Sequence, residues 1–145
     1  MDDEDKAISE LKRVDHLIYV TLKYTRTVDV IRTIIEKLIS TLNHKSEAIF
    51  TSLMDNNKVS AVAAVPLVRM KDLEKQYPKD KTVKDIVDFY VLLKRIFNTD
   101  YRAKEEYRKN VTLVTRDHEV NIEKLKNYYE ITQDYVKYLN EEIKA

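Results

Sequence analysis

No glycine occurs anywhere in the chain, and that single absence removes two large functional classes. Neither the phosphate-cradling P-loop nor the Gly-rich dinucleotide fingerprint can be built without it. Helices must also end by other means, so Asn56-Asn57 and Asn98, residues able to visit the left-handed region, are the expected terminators. Cysteine is missing too, which excludes disulfides, thiolate metal sites and a Cys nucleophile, and suits a reducing interior. No apolar run approaches the ~18 residues of a membrane span. Met1 leads into the acids Asp2 to Asp5 instead of a basic leader, so the expectation is a cytoplasmic protein with no membrane partner. Charge of one sign is also lacking: 26 basic side chains face 25 acidic ones, so no global field points to nucleic acid or membrane. Scarce Gln with frequent Lys, Glu and Ile leans towards a thermophile.

What is present is helical periodicity. Between Asn121 and Lys144 the residues Ile122, Leu125, Tyr129, Thr132, Val136, Leu139 and Ile143 recur at alternating steps of three and four, and Tyr128, Ile131, Tyr135 and Tyr138 form a second row beside them. A helix with so wide an apolar arc wants neighbours on two sides. The expectation is an all-α, up-down bundle of four or five helices organised around this last one, forming one domain over 1–145. Ala7, Ile8, Leu11, Val14, Ile18 and Leu22 mark the first helix, and β-branched residues at 24–28 suggest a break with Thr25 or Thr27 as the next cap. A second stripe, from Val28 to Leu53, runs to Asn56 with a bend expected near Asn43-His44. Residues 57–68 read as a packed connector, Arg69 to Gln76 as a short helix, and Val83 to Phe97 as a longer one capped by Thr82. Alternation in 110–122 predicts a small β-hairpin, the only strand pairing, feeding the last helix with Asn121 as N-cap.

The chemistry-bearing residues are sparse. His16, His44 and His118 are far apart in sequence and share no ligand-pair spacing, so neither metal nor cofactor is expected. Asp85 and Asp88 are spaced like a helical carboxylate pair but lack a companion pair, and read as an outer face beside Lys84. Two constellations remain. Asp15, Tyr19, Arg26 and Asp29 would line one face as a polar seam if the first helix continued past Tyr24, the plainer alternative being local ion pairs among Arg26, Asp29, Arg32 and Glu36. The other is the stretch 94–109, where Lys94, Arg95, Arg102, Lys104, Arg108 and Lys109 outnumber the acids and Phe97, Tyr101 and Tyr107 interleave. Cations meet phosphates and aromatic faces stack on unpaired bases, so this composition suits single-stranded RNA.

The long amphipathic helices and the Asp/Arg/Tyr seam together resemble, at the level of pattern, the HEPN domains: small helical bundles that often dimerise and in many members cleave or bind RNA. Their signature is an Arg followed four to six residues later by His. Here Arg13 stands three residues before His16 and Arg116 two before His118. What the resemblance implies is therefore a scaffold without the cleavage. The functional expectation is a non-catalytic helical interaction protein of unknown partner that self-associates as a homodimer through Tyr128, Tyr135 and Tyr138, with RNA binding through 94–109 as the alternative.

Overall fold

The computed structural model describes residues 2–145. Helix α1 (Asp3–His16) opens on Asp2, whose carboxylate accepts the Asp5 N–H at 2.8 Å. It then widens into a π turn (Leu17–Thr21) and closes with one more helical turn (Leu22–Tyr24). The chain breaks at Thr25–Thr27, and the Thr27 hydroxyl accepts the Val30 N–H to cap α2 (Val28–Asp55). α2 is unbroken through Asn43-His44. It ends at Asn56, followed by Asn57 at φ 57°, the left-handed stop that a glycine-free chain must assign to asparagine.

Arg69 closes the connector. Its buried guanidinium donates to the Ser46 hydroxyl (3.2 Å), the Ala63 carbonyl (3.2 Å) and the Asn43 carbonyl (3.5 Å), pinning the loop and the next helix onto α2. That helix, α3 (Pro66–Gln76), starts earlier than the sequence pattern suggested because Pro66 occupies its first turn, where a missing N–H costs nothing. Val65 and Val68 stand exposed, so the connector is less packed than expected. In α4 (Lys81–Asn98) the cap is Asp80, not Thr82: its Oδ1 accepts the Val83 N–H at 3.0 Å.

The predicted hairpin is present as β2 (Thr112–Val114) and β3 (Glu119–Asn121), paired antiparallel with Leu113 opposite Val120. A third strand, β1 (Arg102–Lys104), adds to its edge with Ala103 opposite Leu113, so the hairpin is not the only pairing. β1 escaped the sequence reading because it has no alternation, all its residues being exposed. Asn121 caps α5 (Ile122–Glu142), accepting the Lys124 N–H at 2.8 Å.

Side-chain pairs give the directions. Glu10 with Lys37 and Glu4 with Lys45 make α1 and α2 antiparallel, while Asn56 bonding to Ala145 sets α5 alongside α2 in the same sense. Tyr138 with Asp80, and Tyr128 with Phe89, run α4 against α5. Up-down topology follows. The hub, however, is α2 and not α5: Ile31, Ile34, Ile35, Leu38 and Leu42 have no exposed surface, and α2 touches every other helix and β2. α5 still buries Leu125, Tyr129, Val136 and Leu139 as expected. No helix among the described residues is long and apolar enough to cross a membrane.

Candidate nucleic-acid interface

Two left-handed residues mark the loop after β1. Glu105 (φ 57°) and Tyr107 (φ 68°) hold conformations that are uncommon outside glycine and asparagine and disfavoured for an aromatic side chain, at roughly 1–2 kcal/mol each. Something must hold them there. The Glu106 carboxylate accepts the Val28 N–H at 3.0 Å, capping the positive end of α2, and the Tyr107 N–H donates to the Arg26 carbonyl at 2.7 Å. With its backbone so anchored, the Tyr107 ring is turned outward and is 77% exposed. Tyr24, in the turn that leads to Arg26, is 84% exposed. Both rings stand at the same end of the bundle.

Cations flank Tyr107 along the chain. Arg102 and Lys104 lie on the exposed edge strand, and Arg108 and Lys109 follow Tyr107 directly. Lys104 meets Glu119 at 3.7 Å and Arg108 meets Glu105 at 3.6 Å, both pairs well exposed and worth a few tenths of a kcal/mol. Among the described residues Arg102 and Lys109 have no carboxylate within 4.0 Å. Arg26 and Lys109 share a small hollow of about 270 Å³ with Asn110, Asn121, Ile122 and Glu123.

The structure divides the stretch 94–109. Lys94 is half-buried, and Arg95 belongs to a groove of about 790 Å³ between α3 and α4, beside Lys71 and Asp88. Tyr101 is partly occupied: the Arg32 guanidinium lies 4.6 Å from its ring centre and 4.4 Å from that of Phe97, while Arg32 Nη2 donates to the Phe97 carbonyl at 3.0 Å. Arg32 thus ties α2 to the end of α4 instead of pairing with Asp29 or Glu36. The exposed set is Arg102, Lys104, Tyr107, Arg108 and Lys109, joined by Tyr24, with the half-buried Arg26 beneath the loop. Tyr24 had a sequence signal in its place just before the β-branched break, but nothing in the sequence connects it to Tyr107.

The polar seam does not form as one face. Because the helix ends at Tyr24, Arg26 turns to the Tyr107 loop, and Asp29 sits in the first turn of α2. Asp15 instead accepts a hydrogen bond from the Tyr129 hydroxyl at 3.2 Å, and Tyr19 lies under Lys126. The tyrosine row of α5 makes contacts inside the chain: Tyr128 is buried, Tyr128 and Tyr135 both meet Phe89 edge to face at 5.8 and 5.6 Å, and the Tyr138 hydroxyl donates to Asp80 at 2.7 Å. Tyr135 and Tyr138 nevertheless stay half-exposed, and only Tyr128 is fully buried, because α4 supplies an aromatic partner that the periodicity of α5 cannot reveal.

One cluster escaped the search for spaced ligands. Asp3, His44 and Glu47 bring ligand atoms within 4.8 Å of one another across α1 and α2. Lys6 at 3.9 Å from Asp3 and Arg69 at 4.0 Å from Glu47 already balance both carboxylates, so the group acts as an ion-pair network joining the two helices. His118 accepts the Thr115 N–H on its carbonyl at 2.8 Å and serves as a hairpin-turn residue. Comparison with protein-family models, with curated proteins and with solved structures returns no match to this chain.

Proposed function

We propose that the chain is a non-catalytic helical binding module whose sheet end takes single-stranded RNA. The observation that carries this reading is Tyr107, an aromatic side chain held in a left-handed conformation, turned to solvent and flanked in the chain by Arg102, Lys104, Arg108 and Lys109. Strain of this kind persists where surrounding contacts enforce it, and here they serve to display a ring instead of burying it. Tyr107 and Tyr24 supply stacking faces, and the cations supply phosphate contacts, a combination that binds unpaired strands with little sequence preference. This reading narrows the surface from the whole 94–109 stretch to its second half. It also agrees with what a HEPN-like resemblance without the Arg/His signature implies: a helical scaffold that holds RNA without cutting it.

Fluorescence anisotropy with a labelled single-stranded oligonucleotide tests it. Binding should weaken steeply as salt rises, and Tyr107→Ala and Tyr24→Ala should each cost about 1–3 kcal/mol. Absence of binding at low salt, or binding indifferent to both substitutions, would overturn the reading. Self-association is a second component of the scaffold proposal, supported by the half-exposed outer edges of Tyr135 and Tyr138, and light scattering tests it separately.

A further inference from the structure

Away from the sheet end, positive charge also gathers in a cleft between α1 and α2. Ser9, Lys12, Arg13 and His16 fall at i, i+3, i+4 and i+7 and so share one face of α1. Thr33 and Lys37, one turn apart, face them from α2, and Leu17 forms an apolar wall. The cleft is about 670 Å³, the size of a small-molecule site, and no carboxylate lines it. Glu10 approaches Lys37 at 3.8 Å, but among the described residues Lys12, Arg13 and His16 have no carboxylate within 4.0 Å. The Thr33 hydroxyl is committed to the Asp29 carbonyl at 2.9 Å, which leaves Ser9 as the hydroxyl donor.

A second feature meets the same cleft. α1 changes to a π turn at Leu17, whose N–H reaches both the Arg13 and Val14 carbonyls. Such turns are rare and recur at functional sites, and this one begins where the cationic face ends. Three fixed cations offset by a single glutamate match a doubly charged ligand better than a carboxylate. A guanidinium also fits two phosphate oxygens at once, where an ammonium acts as a point charge.

We propose that this cleft binds the phosphate monoester of a nucleotide-sized ligand, with Arg13 gripping two phosphate oxygens, Lys12 and Lys37 flanking them, and Ser9 donating a hydrogen bond. The monoester comes either from a free mononucleotide or from the 5′-phosphate end of a strand. The assignment is independent of the sheet-end surface, so Tyr107→Ala and Tyr24→Ala should leave mononucleotide binding unchanged.

Calorimetry on the full chain, with inorganic phosphate, AMP, a 5′-phosphorylated oligonucleotide and the same oligonucleotide with a 5′-hydroxyl, decides it. The expected result is a Kd below about 1 mM for AMP or for the phosphorylated strand. Lys12→Ala and Arg13→Ala should each weaken it about tenfold, and Glu10→Gln, which releases Lys37, should tighten it. AMP binding without discrimination between the two strands assigns a free nucleotide, and preference for the phosphorylated strand assigns a strand end. Three results would overturn the proposal: no binding of phosphate, AMP or the phosphorylated strand; binding unchanged by both cationic substitutions; or equal binding of the two strands with none of AMP.

Discussion

The Tyr129 hydroxyl donates to Asp15 Oδ1 across 3.2 Å, tying the last helix of the chain to the first. Burial, and then the neighbouring Asp15 carboxylate, push the Tyr129 hydroxyl up from 10.0 to about 12. The folded state thus favours the neutral phenol, so this contribution to stability is complete below about pH 10 and is lost as pH rises towards 12. Denaturant melts should show a stability that falls between pH 10 and pH 12. Burial raises Tyr128 as well, so Tyr129→Phe should lessen the alkaline fall without abolishing it. At pH 8 the same substitution should cost about 1.5–3 kcal/mol, the range for a hydrogen bond to a charged group.

Leu139 is 1% exposed and lies on the buried row of α5. Leu139→Ala should cost roughly 2–5 kcal/mol in urea melts, as a large-to-small change in a packed core. A loss under about 1 kcal/mol, typical of a surface position, would show that the row does not carry the packing assigned to it.

Glu106 is the side chain that couples the strained loop to the bundle, through the Val28 N–H at the start of α2. Glu106→Ala removes a cap and should lower stability by about 0.5–2 kcal/mol. It should also weaken RNA binding, since the Tyr107 backbone loses one of its two anchors, and it should open residues 105–109 to limited proteolysis. Unchanged proteolysis would mean that the Tyr107–Arg26 hydrogen bond holds the loop alone.

Neither His16 nor His118 stands at the spacing that RNA cleavage by the resembled family uses. Purified protein should therefore neither cut a labelled RNA nor hydrolyse nucleotides. Turnover that disappears on His16→Ala or His118→Ala would replace the binding module with an enzyme.

Tyr128 is buried against Phe89, so a charge placed there should unfold the chain, whereas Tyr135→Glu, at a half-exposed position, should be tolerated. Sedimentation or light scattering of the Tyr135→Glu variant then tests assembly. A dimer that persists unchanged places its interface away from this row.

Periodicity was enough to show the helices, because a half-buried helix must repeat its apolar residues every three to four positions whatever it packs against. Leu125, Tyr129, Val136 and Leu139 were legible for that reason, as were the Asn121 cap, a threonine cap at 25 or 27 and an asparagine stop at 56–57, which depend on the local backbone alone. The absence of glycine likewise excluded two families of phosphate loops before any fold was known. Tertiary structure decided what each face met. Only the fold could make α2 the hub and turn Tyr128 and Tyr135 of α5 onto Phe89. It also brought Tyr107 to the Arg26 carbonyl and opposed Lys12 and Arg13 to Lys37, contacts between residues distant in sequence that no repeat encodes. Helix and cap signals are local in the chain, whereas both candidate sites form where separate segments converge.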